Sequence, residues 1–571
     1  MSSASTAAKR IPSGYYRDRK GRLHKYPKGW RRLKGRWHPP TKTARQWQRD
    51  ANGVWLWRDP LKGWYRDRKG AFHLLRAKDG WYYDRKLRRW RNRRPAEWYL
   101  DRYGIWRHKA VPPPPAKPAV VTPPAPGPAP PSPPAATPLS VAQADRLLWR
   151  AGFGPRPGEA AQLSALGLDA AVNSLVDVVT PSSVTGPEPT SAGAPLDPSN
   201  AFNHDHTWWL DRMVRADHPL AERMALIWHD WFATSTAGVD SQALMLVQAD
   251  LLRTHALGSF RTLLKDITHD PAMLSWLNGD QNRRGNLNEN YGREVMELFT
   301  LGADRGAYTE TDVREMARAF TGWKRINSGH DAQFDATRWD SANKTIFGHT
   351  GAYNWDQACD LLLTHPLHAS YFVTKLWGYF IPIDPSAATV SALEGAYLAN
   401  GYSIKETVRA ILKQSVLYDG PSMVKPPIVH IAGLHRAVAA PITSTTWADL
   451  GSQSGQRLFY PPDVSGWDDS RWLDTNTLRG RWQAVSTLLT GRTASSSGYD
   501  ANETPQQALD AALAFWKNPP LSASSAAVLL AYATSSIPGS ATSTSAKQLY
   551  KASRQNALRM LIAMSPDHQV C

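Results

Sequence analysis

The sequence predicts a mainly α-helical protein, with a large helical C-terminal domain preceded by short β-hairpin repeats and a Pro-rich linker. Three observations predict it. Beyond residue 139, apolar residues recur at helical spacing and almost no strand alternation appears. Before residue 110, aromatic triplets flank Asp-x-x-Gly turns at a repeating distance. Between the two, Val111 to Pro138 is dominated by Pro and Ala, a composition that cannot build a core. The expected divisions are a disordered start over 1–13, hairpin repeats over 14–110, the linker over 111–138 and the helical domain over 139–571.

The totals leave room for this plan. At 571 residues and 42% apolar content the chain can hold one large core and an accessory region. Its formal charge of +19 is concentrated at one end. About 32 Lys and Arg stand against about 8 Asp and Glu before residue 110, so that part is near +24 and the remainder near −5. Charge of that sign and density favours an anionic partner: a cell-wall polymer or acidic glycan, or nucleic acid. The two cysteines, Cys359 and Cys571, offer neither a disulfide framework nor metal-finger spacing. No transmembrane segment is expected, because no apolar run reaches about 18 residues. The first 30 residues lack the apolar stretch of an export leader, which leaves a cytoplasmic setting open; a misassigned start codon would hide such a leader.

The repeats read YYRDRKGRLH from Tyr15, WQRDANGVWLW from Trp47, WYRDRKGAFH from Trp64, WYYDRKLRRW from Trp81 and WYLDRYGIWRH from Trp98. Asp50, Asp67, Asp84 and Asp101 are spaced by 17 residues, and GWRRLKGRWH from Gly29 is a degenerate copy. Each unit predicts a small hairpin, too small to be stable alone, so units are expected to pack on one another. Indole and phenol faces suit sugar rings or bases, and guanidinium groups suit phosphate. Trp47, Trp64, Trp81 and Trp98 with Arg66, Arg68 and Arg85 are therefore the expected polymer-binding residues. The linker is expected to run as a stiff polyproline spacer.

In the helical domain, Pro219 opens a helix whose Met224, Ile227, Trp228 and Trp231 share a face. A further helix is expected from Ser241 to Ala256, with Leu244, Val247, Leu251 and Leu252 on its stripe. Polar chemistry concentrates in Leu287–Trp323, read as two helices. Asn288 is the expected cap of the first, Gly302 its left-handed stop, and TETD from Thr309 the capping box of the second. Asn290, Arg293, Glu294 and Glu297 fall on one side of the first helix.

Taken together, LLWRAGFGPRPGE, LIWHDWFATS, HDPAMLSWL, NENYGREVMELFTLG, YTETDVREMARAFTGW, KTIFGHTG, KLWGYF, FYPPDVSGWDDSRWL and the terminal MSPDHQV resemble, in order, the bacterial family catalogued as domain of unknown function 1800. The resemblance runs from about Leu139 to Val570. It implies a mainly helical domain and, since many members are exported, a cell-envelope or extracellular setting. It implies no particular reaction or cofactor. Two positions depart from the family pattern: Trp231 replaces a second His after His229 and Asp230, and Trp339 stands where a His-Asp pair is usual.

For chemistry, His229, Arg293, Glu294 and Glu297 are the candidate catalytic residues. His229, Glu294 and Glu297, with His255 or Asp270, are the candidate ligands of a divalent metal or partners in proton transfer, as in a metal-dependent hydrolase. The alternative is that the glutamates pair with Arg293 on a solvated face and His229 is a hydrogen-bonded histidine. His-Asp dipeptides at His229, His269 and His330 are a weaker signal of helical phosphohydrolases. The absence of G-x-S-x-G, H-E-x-x-H and G-x-x-x-x-G-K-[ST] speaks against serine hydrolases, zincins and P-loop enzymes.

Overall fold

The computed structural model describes residues 138–178, 180–326 and 331–571 in full, together with the backbone of twelve short strands between Tyr15 and His108. The chain divides into two units, Met1–Pro130 and Pro131–Cys571. In the first, the strands pair antiparallel as six two-stranded hairpins. Trp47 pairs with Trp57, Trp64 with Leu74, Trp81 with Asn92 and Trp98 with His108. Arg66 pairs with Phe72. Arg68 and Arg85, the expected disordered start and nearly all of the linker lie outside the described residues.

The second unit is mainly helical, with 23 helices and a few two-stranded ribbons among its described residues. No helix among the described residues is long and apolar enough to cross a membrane. Two apolar cores form. One gathers Trp228, Phe260, Phe299, Phe372 and Tyr397; the other gathers Trp209, Leu434, Trp447, Leu458 and Phe459. The helix Pro219–Trp231 contributes to both, Met224 and Trp228 to the first and Ala225 and Leu226 to the second. Pro219 suits its first turn because the missing N–H would have had no intrahelical acceptor there. A helix with apolar residues on every side belongs in the middle of a domain, and here the polar residues Glu222, Arg223 and His229 are enclosed with them. Every residue of this one is buried except Asp230, which is half-buried.

Some local expectations shift. The Ser241–Ala256 helix runs from Gln242 to Thr254, with the Ser241 hydroxyl accepting from the Leu244 N–H at 3.3 Å. Leu244 and Leu252 are buried as expected, whereas Val247 is exposed, because the helix shows only one side to the cores. Asn288 is not the cap of the next motif helix. Its side-chain oxygen accepts from the Asn290 N–H at 3.0 Å, a turn that ends where the helix begins.

Candidate functional site

The motif Leu287–Trp323 folds as two helical segments pressed together. Gly292 makes the close approach: a Cβ there would lie 3.2 Å from the Val313 carbonyl oxygen and the Ala317 nitrogen. The second segment, Glu310–Ala319, opens on the expected capping box, with the Thr309 N–H donating to Asp312 at 2.8 Å and the Asp312 N–H to the Thr309 hydroxyl at 3.2 Å. Val313, Met316, Ala317 and Phe320 are buried beneath it.

The first segment changes pitch. It is α-helical over Asn290–Glu294 and a π-helix over Val295–Thr300, where the Leu301 N–H reaches back five residues to the Met296 carbonyl at 2.9 Å. Side chains from elsewhere take up the carbonyls at its end. Leu298 O accepts from the Tyr371 hydroxyl at 2.6 Å and the Lys375 ammonium at 2.9 Å. Phe299 O accepts from the Trp231 indole at 3.1 Å, and Thr300 O lies 3.0 Å from His368 Nδ1. Buried helix ends need such partners. Trp231 thus acts as a donor to backbone. Gly302 then stops the segment at φ +87°, where a Cβ would strike the Tyr371 ring.

The candidate residues separate into three places. Arg293 forms a two-pronged pair with Glu310 at 2.9 and 2.6 Å on the exposed side. Glu294 and Glu297 are both half-buried; burial, then the Glu297 charge, raises the carboxyl of Glu294, while Arg293 opposes the rise. Glu297 lies beside Tyr308, whose phenol is pushed up to about 12, mainly by burial. His229 sits apart in an aromatic box, with Trp209, Phe459 and Trp467 ring centres at 5.4, 5.7 and 5.4 Å. Burial depresses it to about 3, and its Nε2 has no hydrogen-bond partner. It is a neutral imidazole at ordinary pH. Asp270 caps the Pro271–Trp276 helix and accepts from Gln248 at 2.7 Å, and His255 pairs with Asp266 at 2.8 Å. His269 stacks on Trp323, and His330 lies outside the described residues. Among the described residues no group of three or more His, Cys, Asp or Glu is placed to hold a metal ion.

What the structure does assemble is centred on Asp230. Its carboxylate accepts from the Tyr379 hydroxyl and the Trp467 N–H, both at 2.7 Å. Gly466 lets the FYPPDVSGWDD loop come this close, because a Cβ there would lie 2.2 Å from Asp230 Oδ1. Burial raises the Asp230 carboxyl, opposed by those two hydrogen bonds and by the charge of Lys375. Lys375 Nζ lies 4.3 Å over the Trp231 ring. Burial draws it down to about 8, against the pull of Asp230. Asp230 is hydrogen-bonded to Tyr379 and Trp467, Tyr371 and Lys375 share the Leu298 carbonyl, and Tyr371 feels the charges of Tyr308 and Glu297; all seven are half-buried and line a polar seam with aromatic walls. An amine poised near neutrality within reach of a carboxylate and a phenol can exchange protons with a ligand.

Sequence reasoning singled out the histidine of the His229–Asp230 pair and passed over its neighbour. In KLWGYF, Lys375 and Tyr379 are four apart and project from one side of the helix end. That spacing was the available signal.

A helical domain built on two cores, with its half-buried charged and phenolic side chains gathered around the end of the central helix, is the class defined here. The chain belongs to the family described as "Protein of unknown function (DUF1800)", which matches residues 146–570. Asp230, Glu297, Lys375, Tyr379 and Trp467 all fall inside the match, and the N-terminal strands fall outside it. No curated protein and no solved structure matches the chain.

Proposed function

We propose that this is an envelope- or surface-associated protein in which residues 14–110 hold an anionic polymer or glycan, and the linker tethers a helical domain that offers the Asp230–Lys375 seam to a ligand. The observation that carries the reading is the concentration of charge. About 32 basic residues against about 8 acidic ones, interleaved with Trp and Tyr at a repeating distance, exceed the few units of net charge that solubility requires. The helical domain, near −5, does not share that character. Export of many family members supports an envelope setting.

The test compares the full chain with a full-length variant carrying Trp64→Ala, Arg66→Ser, Arg68→Ser and Arg85→Ser, in co-sedimentation with purified cell walls and with an acidic glycan at moderate salt. Binding by the parent chain and a loss of tenfold or more in the variant are expected. Binding to duplex DNA with a steep salt dependence, and none to wall material, would replace this reading with a nucleic-acid-associated protein.

A further inference from the structure

Away from the seam, an open pocket of about 250 Å³ lies between the helices Thr475–Leu489 and Thr544–Ala563 and the residues that follow the first. Leu489 and Met560 supply apolar surface, and Arg492 and Arg559 supply two guanidinium groups. Neither arginine has a carboxylate within ion-pair distance among the described residues, whereas Arg554, on the same helix as Arg559, meets Glu503 at 2.8 Å. Their few bonds go to backbone: Arg492 Nη1 donates to the Leu488 carbonyl at 2.8 Å, and Arg559 Nη1 to the Arg492 carbonyl at 2.7 Å. Arg559 Nε is buried without a partner. A guanidinium has five N–H donors in a planar fork, so most of this pair's donor capacity is unspent.

The pocket is also held in shape. Asn556 grips the backbone of Ala494 from both sides, accepting from its N–H at 2.7 Å and donating to its carbonyl at 3.2 Å, which pins the turn that carries Arg492. Phe515 lies under the Arg559 guanidinium at 4.3 Å and fixes its plane. One anchored guanidinium, Arg559, and a second, Arg492, on a pinned turn, neither with an acidic partner among the described residues, lie beside an apolar floor and suit one kind of guest.

The geometry points to a binding site for a small organic anion, with its carboxylate on Arg492 and Arg559 and its apolar body against Leu489 and Met560. At about 30 Å³ for each water-sized group, the space accommodates a molecule of about eight to ten heavy atoms. Fork-to-carboxylate pairing supplies direction and the floor supplies preference over inorganic ions.

Benzoate is the probe, and modification of the full chain by phenylglyoxal, read residue by residue by mass spectrometry, is the measurement. Benzoate is expected to slow modification of Arg492 and Arg559 by tenfold or more and to leave Arg66 and Arg85 unaffected; inorganic phosphate at equal concentration is expected to protect less. In Arg492→Gln, whose lost bonds are few, protection of Arg559 is expected to fall at least tenfold. In Arg559→Lys, which keeps the charge and loses the fork, protection of Arg492 is expected to fall while thermal stability is kept. Absence of protection, equal protection at Arg66, equal protection by phosphate, or protection that survives both substitutions would overturn the assignment.

Discussion

One helix carries two carboxylates with opposite fates. Glu222, near the start of Pro219–Trp231, is fully buried and saturated: Arg253 Nε lies at 2.7 Å, Arg212 Nη2 at 3.4 Å and the Trp209 indole at 3.3 Å. Asp230, at the other end, is half-buried and held by a phenol and a backbone N–H, with a lysine in electrostatic reach. The first arrangement neutralises its charge completely and serves the fold. The second leaves charge and proton affinity partly unspent beside solvent, which is where a ligand can gain. Pairing distinguishes them better than burial does.

The comparison can be broken from either end. Glu222→Gln removes the buried charge facing Arg253 Nε and leaves that arginine only the exposed Asp250 carboxylate at 2.5 Å, and is expected to cost about 3–4 kcal/mol in urea unfolding, the largest effect here. A loss under about 1 kcal/mol would mean the Glu222 end is no more structural than the seam. Gly466→Ala places a methyl group on Asp230 Oδ1 in a backbone held at φ +87°, and is expected to cost about 2–3 kcal/mol while freeing the loop from Asp230. Wild-type protection of the Trp467 amide from hydrogen exchange in this variant would contradict that.

His229 sharpens the contrast through pH. The unfolded chain protonates it below its ordinary 6.5, whereas the native protein refuses the proton until about 3. Its contribution is therefore neutral above 6.5 and turns increasingly destabilising as pH falls between the two values. His229→Phe removes that penalty. Relative to the parent, the variant is expected to gain about 2 kcal/mol on going from neutral pH to about pH 5. Equal acid sensitivity in urea titrations of the two proteins would show that the imidazole is not held neutral. The smallest stability effect belongs to Lys375→Met, about 1 kcal/mol or less, because Tyr371 still serves the Leu298 carbonyl. Its signature is elsewhere: the Asp230 carboxyl is expected to titrate at higher pH in NMR, having lost the charge that lowers it. An unchanged midpoint would separate the two residues.

Much of the fold was legible because it is written locally. The Thr309–Asp312 capping box, the left-handed Gly302, the Pro219 start and the buried stripe of Val313, Met316, Ala317 and Phe320 each depend on residues a few positions apart. The π-helix was not legible. Val295–Thr300 satisfies α-helical spacing equally well, and the wider turn is matched by acceptors for Trp231, His368, Tyr371 and Lys375, all about 70 residues away. The site was half legible: Glu294 and Glu297 do share the half-buried side, while His229 is enclosed by rings from three other segments.

By itself, then, the sequence determined the helical class, the family, the charge division at residue 110 and the starts of the helices at Pro219 and Thr309, because capping, periodicity and composition act over short distances. Only the tertiary structure decided that Asp230 rather than His229 faces the seam, and that Lys375 joins it. A rotation of about 100° between neighbours along one buried helix sends His229 into an aromatic box and leaves Asp230 half-buried at the seam, and which side is left open depends on how the two cores close around that helix.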